Sequence, residues 1–394
     1  MPKLLRLTVL LLLLSIPLKT RPLLASADLI LIYGADLDGE FEPCGCPGTP
    51  RGGFVNRLTL LQEIRREGAP MVLVETGNVL TQGALTTAEA KMPDARRLDL
   101  IGRLLRRSGV QALALGARDL WTLGEDTLRT WSRRHHLPLL SANLEDQDGS
   151  LPFPPAMTLE AAGKRLGVIG LTEPIGAVAR RAGLRFRSLD AAIASARQSL
   201  PAKADVLIVL SDLSAEDNMR LAQSHPEIDF ILAAKRTKAG TRGMNQRRAP
   251  WILPLGGEGQ ELGRIDMAFV GDQGETLRST AWEKRLAAKA ATRASLKALR
   301  ELIAAQEGRF DEERFSREGA FLLRRLAALE AVPPPPPQGR LIFAFQGVTI
   351  RDDLEDDKKA QAMINAYQRS QASRSRGAAP DAPSPAKPPR PLVN

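Results

Sequence analysis

Three oxygen-bearing side chains stand where two strands would end. The run Leu29-Ile30-Leu31-Ile32-Tyr33 is short, apolar and aromatic, as a buried strand is. It stops at Gly34-Ala35-Asp36-Leu37-Asp38-Gly39, which puts Asp36 and Asp38 just past its carboxyl end. A second run, Met71 to Glu75, ends in Thr76-Gly77-Asn78. Open α/β sheets bind ligands at this edge. Carboxylate and amide oxygens suit a hard divalent cation. The same aspartates could instead satisfy backbone N–H groups of the turn. Between the two strands lies Cys44-Gly45-Cys46, flanked by Pro43 and Pro47. One residue apart, the two cysteines reach each other only if the chain bends sharply. A local disulfide, a metal pair and a dithiol all stay open.

The elements that would position these groups alternate. Gly52-Gly53 opens a helix from Phe54 to Glu67, and a second helix from Asp94 to Ser108 carries Leu98, Ile101, Leu104 and Leu105 at helical spacing. Val110 to Leu115 reads as a strand, Trp121 to Arg134 as a helix, and Leu137 to Leu144 and Leu166 to Thr172 as strands. A helix (Leu189 to Leu200), a strand (Ala204 to Leu210), a helix (Asn218 to Ser224) and a strand (Ile228 to Leu232) follow. Such alternation reads as an α/β chain. No Gly-x-Gly-x-x-Gly opens a helix, so there is no dinucleotide fingerprint. The three histidines, His135, His136 and His225, read as surface residues; the first two sit where a helix C-terminus favours them.

The order strand–Asp36-x-Asp38-Gly39, Gly52-Gly53 before a helix, strand–Gly77-Asn78 resembles the start of the calcineurin-like metallophosphoesterases, closest to their 5′-nucleotidase branch. Ser141-Ala142-Asn143-Leu144, the strand Gly167 to Leu171, and Glu261-Leu262-Gly263 are similar to later phrases of that branch, so the resemblance spans about residues 29 to 281. It implies an α/β fold in four layers, α-β-β-α, two sheets between helices. It also implies a two-metal site, and the family's ligands are altered here. Asp38 stands for a histidine and Asn78 for an aspartate. Gly116-Ala117-Arg118-Asp119 stands for Gly-Asn-His-Glu/Asp, Ser211-Asp212 for Ser-His, and Ala233 to Arg236 for Gly-His-x-His. The residual metal candidates are Asp36, Asp38, Asn78 and Asp212, all oxygen donors, for Mg²⁺, Ca²⁺ or Mn²⁺ if the chain is active. Arg118 and Asp119 are catalytic remnants. Arg118, with Lys235 and Arg236, could hold a phosphate-containing small ligand on the old pocket; for Arg118 a surface salt bridge is the other reading. The expectation is a catalytically degenerate module with no cofactor. A phosphoesterase or nucleotidase with an unusual oxygen-ligand site is the alternative.

The chain has 394 residues, 55 Lys+Arg against 45 Asp+Glu, and 43% hydrophobic residues, a globular composition with a basic balance. Its arginines are scattered through helical segments without interleaved aromatics, so no nucleic-acid groove is expected. Residues 1–27 read as a signal peptide: Lys3 and Arg6, then the apolar run Leu7 to Leu18, then Ala25-Ser26-Ala27. The run is short for a bilayer, which needs about 20 residues, so the expectation is an exported, periplasmic or secreted protein without a stable membrane anchor. A metallophosphoesterase-like domain is expected over 28–281 and a helical arm over 282–331. A Pro-rich linker (332–338), a small strand-and-helix segment (339–370) and a disordered tail (371–394) follow. The arm and tail are the expected contacts to a protein partner.

Overall fold

The computed structural model describes residues 27–44, 51–82, 93–201, 203–234, 250–257, 259–269, 288, 291–292, 294–299, 319–326, 341–351 and 357–377. In chain order the first elements are β1 (Leu29–Gly34), β2 (Pro43–Cys44), β3 (Arg51–Gly52), α1 (Phe54–Arg65), β4 (Met71–Glu75), α2 (Ala95–Ser108), β5 (Ala112–Ala114) and α3 (Ala117–His135). The middle of the chain gives β6 (Leu139–Leu140), β7 (Leu144–Glu145), β8 (Ala156–Ala161), β9 (Lys164–Leu171), α4 (Gly176–Arg181), β10 (Arg185–Phe186) and α5 (Leu189–Ser199). Then come β11 (Val206–Ser211), α6 (Ala215–Ser224), β12 (Phe230–Ala233), β13 (Trp251–Pro254), β14 (Glu261–Phe269), β15 (Leu341–Thr349) and α7 (Lys358–Gly377).

Two sheets carry the molecule. The first has the order β15-β14-β1-β4-β5-β6 and the second β13-β12-β11-β9-β8. Within the first, β1, β4, β5 and β6 are parallel and β14 runs against β1. Within the second, β9, β11, β12 and β13 are parallel and β8 runs against β9. The two-residue period of a strand sorts its side chains between two faces. Leu29, Leu31 and Tyr33 join one buried cluster with Leu166, Val168, Ile208, Leu210 and Phe230 of the second sheet. Ile30 and Ile32 join another with Leu58 and Leu61 of α1 and Ile101 of α2. On the second sheet, Ile169, Val209 and Ile231 pack with Ala192 and Ile193 of α5 and Leu221 of α6. The sheets are tied by Tyr33, whose hydroxyl donates to the Leu253 carbonyl at 2.8 Å.

The C-terminal strand and helix belong to the same cores. β15 pairs with β14 from Leu341↔Phe269 to Thr349↔Glu261. Ala360 and Ile364 of α7 are buried with α1 and α2, and the helix runs to Gly377, past residue 370. Asp357 begins it, accepting from the Ala360 amide at 2.9 Å and from Arg107 of α2 at 2.7 Å. Helical residues also occur at 294–299 and 319–326. Residues 1–26 of the expected signal peptide, the expected Pro-rich linker, Cys46, Lys235, Arg236 and the tail beyond 377 lie outside the described residues. No helix among the described residues is long and apolar enough to cross a membrane.

Two local readings change. The helix expected from Trp121 begins at Ala117 and continues across a kink at Gly124, whose φ of 74° only glycine adopts readily. His135, expected on the surface, is buried at 4% exposure. Its ring lies on Gly102 of α2, where a Cβ would come within 2.4 Å, and beside Trp131. A small residue on the neighbouring helix therefore decides the burial of a histidine at a helix end. His136, one residue on, is exposed and ends α3 in the left-handed region.

Candidate functional site

The strand-end residues of both sheets meet at one point. Asp36 and Asp38 follow β1, Asn78 follows β4, Arg118 and Asp119 open α3 after β5, and Asp212 follows β11. Asp36, Asp38 and Asn78 all have positive φ, 39°, 58° and 50°. Asp and Asn tolerate this region better than other side-chain-bearing residues, so the turns explain part of the residue choice. The two loops are stitched together by the Asp38 amide on the Asn78 carbonyl and the Gly39 amide on the Val79 carbonyl, each at 3.0 Å.

Asn78 is the pivot. Its Nδ2 donates to Asp212 Oδ1 at 2.6 Å and to Asp36 Oδ1 at 3.0 Å. Its Oδ1 accepts from the Arg118 amide at 3.1 Å, which fixes the orientation of the side-chain amide. Asp212 is fully buried, and its second oxygen accepts from the Ala117 amide at 2.7 Å, at the N-terminus of α3. A carboxylate suits that position because it meets an unpaired amide and the positive end of the helix dipole. The Arg118 guanidinium pairs with Asp38 and lies 3.9 Å from Asp36. Gly116 makes the assembly sterically feasible: a Cβ there would stand 2.2 Å from the Asn78 amide nitrogen.

Asp119 serves the loop. Its buried carboxylate accepts from the amides of Val79 at 2.7 Å and Thr81 at 3.0 Å and from the Thr81 hydroxyl at 2.7 Å. Beneath the site lies an ion pair that sequence reasoning missed. Arg57 of α1, 2% exposed, pairs with Glu75 at the end of β4, fully buried. Burial pushes the Glu75 carboxyl up, and Arg57 opposes it. The only sequence signal was a single charge in each of two mostly apolar stretches, Arg57 within Phe54 to Leu61 and Glu75 at the end of Met71 to Glu75. The Asp38 carboxyl is pushed up to about 7: burial is the main cause, Asp36 and Asp119 add to it, and Arg118 works against it.

The candidates thus come together, and they contact one another directly. An amide nitrogen stands between Asp36 and Asp212, and a guanidinium stands on Asp38, where a metal ion would need oxygens aimed at itself. Among the described residues no three His, Cys, Asp or Glu side chains are arranged to hold a metal ion. The donor set among the described residues, as arranged, does not fit a pair of divalent ions. Of the cysteines, Cys44 is exposed on β2 and Cys46 lies outside the described residues.

No family model matches the chain. Over 174 residues, 43% of its length, it is 25% identical to an uncharacterized metallophosphoesterase, YunD, of Bacillus subtilis (strain 168), and the match covers 36% of that protein. A 5′-nucleotidase precursor from Thermus thermophilus superposes with a TM-score of 0.57 at 16% identity, covering 88% of this chain and 59% of that one. The calcineurin-like phosphoesterase YfkN from Bacillus subtilis gives 0.56 at 14% identity, covering 88% of this chain and 98% of that one. The matched part is therefore about a third of the curated relative and about three fifths of the nucleotidase.

Proposed function

We propose that this chain, which has the calcineurin-like metallophosphoesterase fold of the 5′-nucleotidase branch, is an exported, catalytically degenerate binding or assembly module. The observation that carries the reading is the closure of the strand-end site: Arg118 on Asp38, and Asn78 between Asp36 and Asp212. A guanidinium is a permanent cation. Held on the carboxylates by the backbone of α3, it supplies charge that a metal ion would otherwise bring, without a Lewis-acid function or a bound hydroxide. Among the described residues Asp36, Asp38 and Asp212 outnumber Arg118, which disfavours a phosphate on this part of the site.

Elemental analysis of the purified protein tests this. The expected result is well under one equivalent of Mg, Ca, Mn or Zn after desalting, and a melting temperature unmoved by a chelator. A stoichiometric metal that stabilises the fold would replace this reading with that of a divalent-metal phosphoesterase using Asp36, Asp38, Asn78 and Asp212. The convergence of those four side chains is what favours the second reading.

Export rests on residues 1–27, and contact to a partner protein is assigned to the arm and tail. Exposed Phe321 (42%) and Leu323 (52%) in a helical stretch of the arm support the latter. Mature protein is expected to begin near Asp28 and to lie outside the cytoplasm. Met1 retained on soluble cytoplasmic protein would reject export.

A further inference from the structure

We propose that the cavity between α2, α3 and α7 binds a small phosphate-bearing anion through Arg96, Arg103 and Arg134. It lies on the outer helix layer, apart from the strand-end site, and the inference does not depend on that site's reading. The cavity holds about 400 Å³, and its walls include Arg96, Asp99 and Arg103 of α2, Arg134 of α3, and Tyr367 and Ser370 of α7.

Three guanidiniums face one carboxylate there, which leaves two positive charges in excess. Asp99 takes one nitrogen from each of two arginines: Arg103 Nε at 3.1 Å on one oxygen and Arg134 Nη2 at 3.1 Å on the other. Each guanidinium carries five N–H donors, so most donors of both stay available for a second acceptor. Arg96 has no acidic partner among the described residues. A phosphate group, with several acceptor oxygens and up to two charges, matches such a set better than a lone carboxylate does.

The frame behind the arginines is fixed. Asp99 is backed by the buried ring of His135, whose Nε2 stands 3.7 Å away. The α7 wall is anchored by Asp357 on Arg107 and by Tyr367 edge-on to Phe41, with ring centroids 5.6 Å apart. Arg96 and Arg103 along α2, Arg134 in the last turn of α3, and the wall of α7 thus build a cationic cup. Affinity is expected to be modest and salt-dependent, because the arginines are about half exposed or more.

The test is calorimetric titration of the full chain with inorganic pyrophosphate at low, constant ionic strength. Wild type is expected to bind at one site. The pair Arg103→Gln/Arg134→Gln should weaken binding about tenfold, the effect of losing two charge-assisted contacts. Arg220→Gln, which removes an exposed arginine of α6, should leave it unchanged. Absence of binding by wild type, equal affinity in the double variant, or an equal loss in Arg220→Gln would overturn the proposal. If the double variant does not fold by circular dichroism, Arg96→Gln decides. A loss of about threefold or more supports the site, and a smaller one overturns it.

Discussion

Asn78 is the residue on which the site turns, because a single amide satisfies two carboxylates and one backbone N–H. Asn78→Asp replaces a donor by a third carboxylate between Asp36 and Asp212. Like charges and lost hydrogen bonds should lower stability by about 2 kcal/mol, read as a shifted urea midpoint; an unchanged midpoint would show that the amide is not what holds these groups. His135 makes a second prediction. Burial lowers its pKa, Arg134, Arg103 and Arg106 push the same way, and Asp99 pulls it back up. The folded state therefore holds the neutral ring, while the unfolded chain takes up a proton near its ordinary value of about 6.5. Stability should fall as pH drops below that value. His135→Gln should flatten this acid limb relative to wild type, and identical pH profiles would contradict the assignment. At this scale Asp36, Asp38 and Asn78 were legible because strand ends with glycine turns are local signals. Asp212 was reached only through the resemblance. Arg57 with Glu75 was not legible at all, because a buried ion pair between a helix and a strand is a tertiary fact.

Apolar runs made β1, β4, β9, β11 and β12 readable, and helical spacing did the same for α2. The misses have physical causes. β8, Ala156–Ala161, is a mixed sequence that becomes a strand by pairing with β9. The start of α3 hides in Gly116-Ala117-Arg118-Asp119, where the N-terminal partner is Asp212 from the other sheet. The place of α7 depends on Asp357, 250 residues from Arg107 in sequence. Its carboxyl is partly desolvated, yet hydrogen bonds from Arg107 and the Ala360 amide hold it below the usual carboxylate range. Asp357→Ala removes a helix cap and this contact together, and a loss of about 2 kcal/mol is expected, with faster amide exchange in α7. Unchanged exchange in residues 358–377 would mean that apolar packing alone docks the helix.

The two sheets matter as a pair, since each alone supplies an incomplete polar set: Asp36, Asp38, Asn78 and Arg118 from the first, Asp212 from the second. Apolar packing between the two sheets brings all five side chains into one network. What the network does is set by residue types that the fold tolerates without demanding. Phosphoesterase chemistry needs ions to make hydroxide and to hold phosphoryl oxygens, and those ions would have to displace Arg118 and Asn78 from the carboxylates. The direct measurement is phosphate release from nucleotides and aryl phosphate esters by the purified protein, with Mg²⁺, Mn²⁺, Zn²⁺, Co²⁺ or Ca²⁺ supplied in turn. No metal-dependent release is the expected result. Turnover on the order of 10 per second, an ordinary enzyme's rate, abolished by Asp36→Ala would contradict the degenerate-site reading.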